Sequence, residues 1–325
     1  MSIAQYIKEI GRGAAGARSL KYEQALDLMA QVLDGKTSDL EIGAFAIGMR
    51  VKGETADELL GFLDAVQARC LTIESKQPVV LLPSYNGARR LPNLTALLAM
   101  LLAQEGANVL VHGPRHDPKR VTTAEIWHAL GLPVAQDALD AQHAWARHEP
   151  VFMPVDALCP PLAKLLEVRW TIGLRNSGHT VAKMLDPVRG AASLRVMNYT
   201  HPEFGTLMAQ VAERCGAPMQ LLRGTEGEPV ADARRRPRMD LWLAGTLRPE
   251  LGCAAHEGVL AEMPLLPREI DAATTARYVQ AAVGGAGPVP APIQLQVQLL
   301  IDALALAASL PSPANTPAPP LERSA

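Results

Sequence analysis

Along the first 75 residues, apolar positions fall in runs of helical period separated by short polar breaks. Ser2 is placed to cap a first helix and Gly35 to stop a second. Ser38-Asp39-Leu40-Glu41 and Thr55-Ala56-Asp57-Glu58 are both capping boxes, in which hydroxyl and carboxylate satisfy each other's free amides at a helix start. Four helices without an intervening strand predict a small all-helical subdomain over residues 1–75. From Pro78 the period changes. Short apolar runs, Val79 to Leu82, Val109 to His112, Ser193 to Asn198 and Met219 to Arg223, alternate with helical stretches around 94–105, 123–130 and 203–215. Such alternation predicts parallel strands joined by crossover helices, an α/β domain over residues 76–310 with a mostly parallel central sheet flanked by helices. Ala-rich helices (Thr274 to Val283, Ile293 to Ser309) close it, and residues 311–325 are too proline-rich to pack and are expected to be a disordered tail.

Composition narrows the class. The 325 residues are 48% hydrophobic and 20% charged, which excludes general disorder or a fibre, and only 4% aromatic, which favours Ala/Leu-rich helices over a β-sandwich. The N-terminus carries Lys8, Glu9 and Arg12 in place of a signal peptide's apolar run. Apolar stretches such as Leu97 to Ala103 are too short to span a bilayer, so no membrane association is expected. Cys70, Cys159, Cys215 and Cys253 lack metal-ligand spacing, as expected for free thiols in the cytoplasm rather than a structural zinc site.

Net charge is -2, which discourages a polyanion partner until it is read by region. Residues 1–75 carry net -3, residues 76–240 net +4 and residues 241–325 net -3. The cations of the middle block gather in strand-end loops: Arg89-Arg90, then Arg115, Lys119 and Arg120, then Arg234-Arg235-Arg236 with Arg238. Loops at the carboxyl ends of parallel strands converge on the binding face of such a sheet. In Pro83-Ser84-Tyr85-Asn86-Gly87-Ala88-Arg89-Arg90-Leu91-Pro92-Asn93, only Gly87 permits close backbone approach, so side-chain charge would have to hold an anion; a tight turn with solvated arginines is the plainer alternative. Tyr85 is a candidate to stack on an unpaired base or simply to pack. His112, His116 and His179 are candidates for phosphate when protonated, or neutral hydrogen-bonding groups. Arg169 and Trp170 are candidates for a cation-π pair, with Trp170 expected in the core. No Ser/His/Asp or Cys/His constellation is evident, and no catalytic or metal-ligating residue is assigned.

The helical first block, the strand-loop-helix at 79–105, Val111-His112-Gly113-Pro114-Arg115 and Ala129-Leu130-Gly131-Leu132-Pro133 resemble anthranilate phosphoribosyltransferase and the related pyrimidine nucleoside phosphorylases. Ile172-Gly173-Leu174-Arg175-Asn176 through Asp186-Pro187 resembles that family's L-G-I-R-T stretch with its later F-N, G-P-L and N-P motifs. The resemblance covers roughly residues 1–310. It implies that helices from about 160–190 join the N-terminal subdomain, and that Arg175 matches an arginine that contacts the aromatic acid. Departures from the enzyme pattern all point one way. The enzymes' G-T-G-G-D loop, which wraps a pyrophosphate, is here Ser84-Tyr85-Asn86-Gly87-Ala88-Arg89-Arg90; an acidic magnesium pair is reduced to Glu226 and Glu228; a glycine-proline position holds Ala182-Lys183. The S-Y-N-G-A-R-R loop is similar to that of the DNA-binding YbiB-type branch. This resemblance implies a non-catalytic homodimer, joined through the N-terminal helices and without a cofactor. It would bind single- and double-stranded DNA, and RNA by the same chemistry, without reading sequence. The alternative is a phosphoribosyltransferase of the anthranilate (tryptophan biosynthesis) type or a pentosyl phosphorylase with altered substrate, using magnesium and phosphoribosyl pyrophosphate.

Overall fold

The computed structural model describes residues 2–13 and 15–309; the proline-rich tail lies outside them. Helices α1 (Ala4–Ile10), α2 (Tyr22–Leu33), α3 (Asp39–Lys52) and α4 (Ala56–Gln67) form the N-terminal bundle. Both capping boxes are present at Ser38/Glu41 and Thr55/Glu58. Ser2 ties two helices together: its hydroxyl accepts the Ala4 amide (3.1 Å) and donates to Glu41 (2.6 Å). Glu58 also exceeds its capping role. Fully buried, it accepts the Leu20 amide (2.8 Å) and pairs with Lys52 (2.7 Å), satisfying a charge that could not otherwise stay inside. Phe45 and Phe62 meet edge to face at 5.7 Å, and Gly61 is bare where α4 crosses the Tyr22 carbonyl of α2.

A seven-stranded sheet carries the rest. Strands β1 (Ile73–Glu74), β2 (Val79–Pro83), helix α5 (Thr95–Gln104), β3 (Asn108–Gly113), α6 (Thr123–Ala129), α7 (Ala138–Ala146) and β4 (Val151–Pro154) follow the bundle. Next come α8 (Val155–Leu158), α9 (Pro160–Ile172), α10 (Ser177–Val181), β5 (Val188–Arg189), β6 (Ser193–Asn198), α11 (Pro202–Cys215) and β7 (Met219–Leu222). Strands β8 (Met239–Leu243) and β9 (Thr246–Leu247) precede α12 (Ala272–Val283) and α13 (Ala291–Ser309). The order is β4-β3-β2-β6-β7-β8-β9, parallel except at β8 and β9, which are antiparallel. Strands β2 and β6 are buried along their whole length, as parallel strands covered on both faces must be. A separate β1-β5 ladder, with Ile73 opposite Val188, and the strand pair β8-β9 were not foreshadowed by the apolar pattern; two-residue strands and alternating burial in β8 leave too little signal.

Helices α9 and α10, drawn from residues 160–181, pack on α2, α3 and α4, so the bundle is completed by a later segment of chain. Helix α13 is 19 residues long and apolar enough by length and composition to cross a membrane. It packs instead against β2, β6 and β8, burying Ile293, Leu300 and Ala303. Its buried Gln296 accepts the Ala231 amide (2.8 Å) and donates to Pro229 O (3.0 Å) and Gln220 (2.9 Å), which fixes it as a core helix of this fold.

Candidate anion site

Strand β2 delivers the Ser84–Asn93 loop to the carboxyl edge of the sheet. The Ser84 amide extends the ladder to His112 O (2.8 Å), and Gly113 is required beside it because a Cβ there would collide with the Ser84 carbonyl. Gly87 takes φ +72°, which a side chain would strain. Ala88 then pairs with Val121 in both directions (2.7 and 3.1 Å), joining this loop to the Arg115–Val121 loop. Asn93 anchors the far end, accepting the Thr95 amide (3.0 Å) and donating to Thr123 (2.7 Å).

The main-chain amides of this loop converge on two carboxylates from the β7-β8 connection. Glu228 is buried; its Oε1 accepts from Asn86 N (2.7 Å) and Gly87 N (2.6 Å), and its Oε2 from the Ser84 and Thr95 hydroxyls. Glu226 accepts from Arg89 N (2.7 Å), Arg90 N (3.1 Å) and Leu91 N (3.4 Å). Successive amides aimed at one point make an anion-binding concavity, and here the protein's own carboxylates fill it. To reach it Glu226 adopts φ +51°, ψ 22°, a left-handed conformation that a non-glycine residue holds only when its surroundings compensate. A divalent cation does not fit these carboxylates. Their oxygens face N–H and O–H donors, whereas a hard cation needs free lone pairs in octahedral array. Among the described residues, no cluster of three or more His, Cys, Asp or Glu is placed to hold a metal.

Cations surround this filled concavity. Gly173 at φ +74° ends α9 in a left-handed cap and turns the chain so that Arg175 reaches the loop, donating to Tyr85 O (3.2 Å) and to Asn86 Oδ1. Arg120 donates to Asn86 O (3.2 Å), and Lys183 to Asn198 Oδ1 (2.7 Å) and Gly227 O (3.2 Å). Burial lowers the Lys183 ammonium to about 8, with Arg175 and Arg120 adding to the shift against the opposing pull of Glu228. Burial likewise lowers Arg175 to about 10, helped by Arg169 and Arg120. Like charges crowded this way await a counter-charge. Among the described residues Arg89, Arg90, Lys119, Arg120, Arg175 and Lys183 form no ion pair.

The fold therefore brings together Ser84, Tyr85, Asn86, Gly87, Arg89, Arg90, Arg120, Arg175 and Lys183, with Lys119 exposed nearby. Other candidates are turned elsewhere. Arg115 pairs with Asp156 (3.0 Å) and Gln136 (2.8 Å). Arg234 and Arg235 fold back on Asp232 (3.0 and 3.4 Å) and Arg238 on Asp240 (2.8 Å), although Arg234 lies beside Leu91 and Pro92 at the loop's edge. Arg236 is half-buried, its carbonyl accepting the His256 amide. His112 is fully buried; its Nδ1 meets the Tyr85 hydroxyl at 2.9 Å, and burial lowers its pKa to about 3, so it sits neutral under the loop rather than offering charge to phosphate. His179 is held at about 3 by burial and by Arg175. The Tyr85 ring is buried too, closed to base stacking in this conformation. Trp170, expected in the core, is instead 39% exposed, with the Arg169 guanidinium 4.1 Å above its ring and that arginine paired to Asp117 (3.3 Å).

A helical bundle joined to a larger, mostly parallel α/β domain is the fold of the anthranilate phosphoribosyltransferases. The chain superimposes on the Thermus thermophilus enzyme with a TM-score of 0.67 at 19% identity, covering 95% of this chain and 90% of that one. It matches the Saccharomyces cerevisiae enzyme, in complex with PRPP and Mg, with a TM-score of 0.67 at 14% identity, covering 94% and 87%. Residues 4–70 match the glycosyl transferase family helical bundle domain. In sequence, the chain is 40% identical over 293 residues to the YbiB protein of Escherichia coli K12, spanning 89% of this chain and 90% of YbiB, and 28% identical over 200 residues to the anthranilate phosphoribosyltransferase of Dehalococcoides mccartyi strain 195, spanning 61% and 58%. The chain belongs to the anthranilate phosphoribosyltransferase-like family, in its YbiB branch.

Proposed function

We propose that the protein is a catalytically degenerate member of its family that binds nucleic acid through the phosphate backbone, without reading sequence. The observation that carries this reading is the occupied loop. The amides that would wrap a pyrophosphate are spent on Glu226 and Glu228, while the Arg89 and Arg90 guanidinium groups are exposed and unpaired among the described residues. Unpaired cations on an outer rim suit a polyanion that lies across the surface; a pyrophosphate needs the cavity itself. Fluorescence-anisotropy titration of a labelled oligonucleotide at two salt concentrations tests it. Affinity should fall steeply with salt and hold across unrelated sequences, and no binding near physiological salt rejects the reading.

Lys183 adds a pH signature. Its charge is lost as pH rises through about 8, so binding should weaken there, and Lys183→Met should flatten that step. Stability moves the other way: between about 8 and the ordinary 10.5 the unfolded chain holds the proton more tightly, so raising pH in that window favours the fold. An affinity that stays level from pH 7 to 9 removes Lys183 from the binding surface.

A second copy of the chain is the partner proposed for the N-terminal helices. Leu40, Ile47 and Val51 stand exposed along α3, whereas the other large apolar side chains described in residues 2–75 are at least partly buried. A monomeric mass in sedimentation equilibrium at micromolar concentration excludes this dimer. The retained scaffold and Arg175 favour one competing reading, a phosphoribosyltransferase with altered substrate. Loss of anthranilate fluorescence that depends on phosphoribosyl pyrophosphate and magnesium would establish it.

A further inference from the structure

Two cysteines separated by 89 positions in sequence meet directly beneath the anion loop. The Leu71 amide donates to Leu158 O (2.8 Å), which lays the segment after α4 alongside the segment before α9. Cys70, whose amide bonds Gln67 O (3.2 Å), and Cys159, whose Sγ lies against Val66 O (3.9 Å), are thereby neighbours at the end of α4. Tyr85 completes the cluster: burial, followed by the fields of both thiols, raises its pKa, and its main-chain carbonyl is the one that Arg175 grips. Cys215 and Cys253 lie elsewhere, bonded to Ala212 O and Pro237 O.

We propose that Cys70 and Cys159 are a redox modification site, forming a reversible intramolecular disulfide when the protein meets a hydroperoxide. Cys159 precedes the first turn of α9 and is fully buried, whereas Cys70, just after α4, is part-exposed, so a hydroperoxide meets the pair from the Cys70 side. In the first step one of the two sulfurs, as thiolate, bonds to a peroxide oxygen, the O–O bond breaks, and the sulfenic acid forms with release of hydroxide. The other sulfur then attacks it, the S–O bond breaks, and the departing hydroxide takes the second thiol's proton as water. Two thiols and one hydrogen peroxide give one disulfide and two waters. The bond ties the end of the helical bundle to the start of α9, the helix that positions Arg175.

A non-reducing tryptic map of the full chain after mild hydrogen peroxide, with remaining thiols blocked by iodoacetamide, tests this. Cleavage after Arg69, Lys76, Arg147 and Lys164 isolates the two cysteines on peptides 70–76 and 148–164. These peptides should be recovered covalently joined in most chains, separate after dithiothreitol, and remain unjoined in Cys70→Ser. Recovery of both peptides alkylated after peroxide, or of either cysteine carried to sulfinic acid with no joined product, overturns the proposal. The wild-type map decides the matter even if the serine variant folds poorly. Its outcome is independent of whether the protein binds nucleic acid.

Discussion

Replacing Arg89 and Arg90 together with alanine should weaken binding to every nucleic-acid sequence alike and lower the slope of log affinity against log salt by up to about two units. Each arginine that contacts a phosphate displaces condensed counterions, so its removal takes away salt dependence together with affinity. The fold should tolerate the change, because both guanidinium groups are exposed and the loop is held through the amides of these residues, which alanine keeps. Equal slopes for the variant and the parent would place the footprint elsewhere on the surface. Arg115, tied to Asp156 and Gln136, is the natural comparison, and Arg115→Ala should alter the slope less.

Glu228→Ala should cost about 2–5 kcal/mol of folding stability, read as a lowered denaturant midpoint. The substitution strips partners from two buried amides and two hydroxyls at once, and leaves Lys183 and Arg175 without the carboxylate whose field offsets their crowding. Glu228→Gln should cost less, since one amide oxygen can still accept from Asn86 and Gly87 while the hydroxyls reverse their roles. A loss below about 1 kcal/mol for the alanine variant would mean that the loop does not depend on this carboxylate.

The sequence pattern revealed the scaffold wherever one physical signal acted alone. The boxes at Ser38 and Thr55, the four buried strands β2, β3, β6 and β7, and the α5, α6 and α11 crossovers follow from local periodicity and capping. The Arg89-Arg90 cluster was legible as charge. What Glu226 and Glu228 do was not, because their partners lie some 140 residues upstream and are mostly main-chain amides, which leave no mark on composition. They resembled the remnant of a metal pair, and the donors around them show a different chemistry. Trp170 was misplaced for a related reason: apolar character says that a side chain prefers burial, not whether a neighbouring arginine will cover it first. The aspartates that fold back Arg234 and Arg238 lie two residues from them, so that pairing was open to reading in the sequence.

The bond between the β2 loop and the β7-β8 connection also sets the order in which this site can come into being. Strands β2 and β3 lie early in the chain and close together, yet the amides of Asn86, Gly87, Arg89 and Arg90 have no acceptors until β6 and β7 are in place. A contact of such long range is reached late in folding, after the entropy of closing the intervening chain has been met. Neither half of the protein can assemble the loop alone. Its amides, although in a surface loop, should exchange their hydrogens with solvent as slowly as the sheet that delivers the two glutamates.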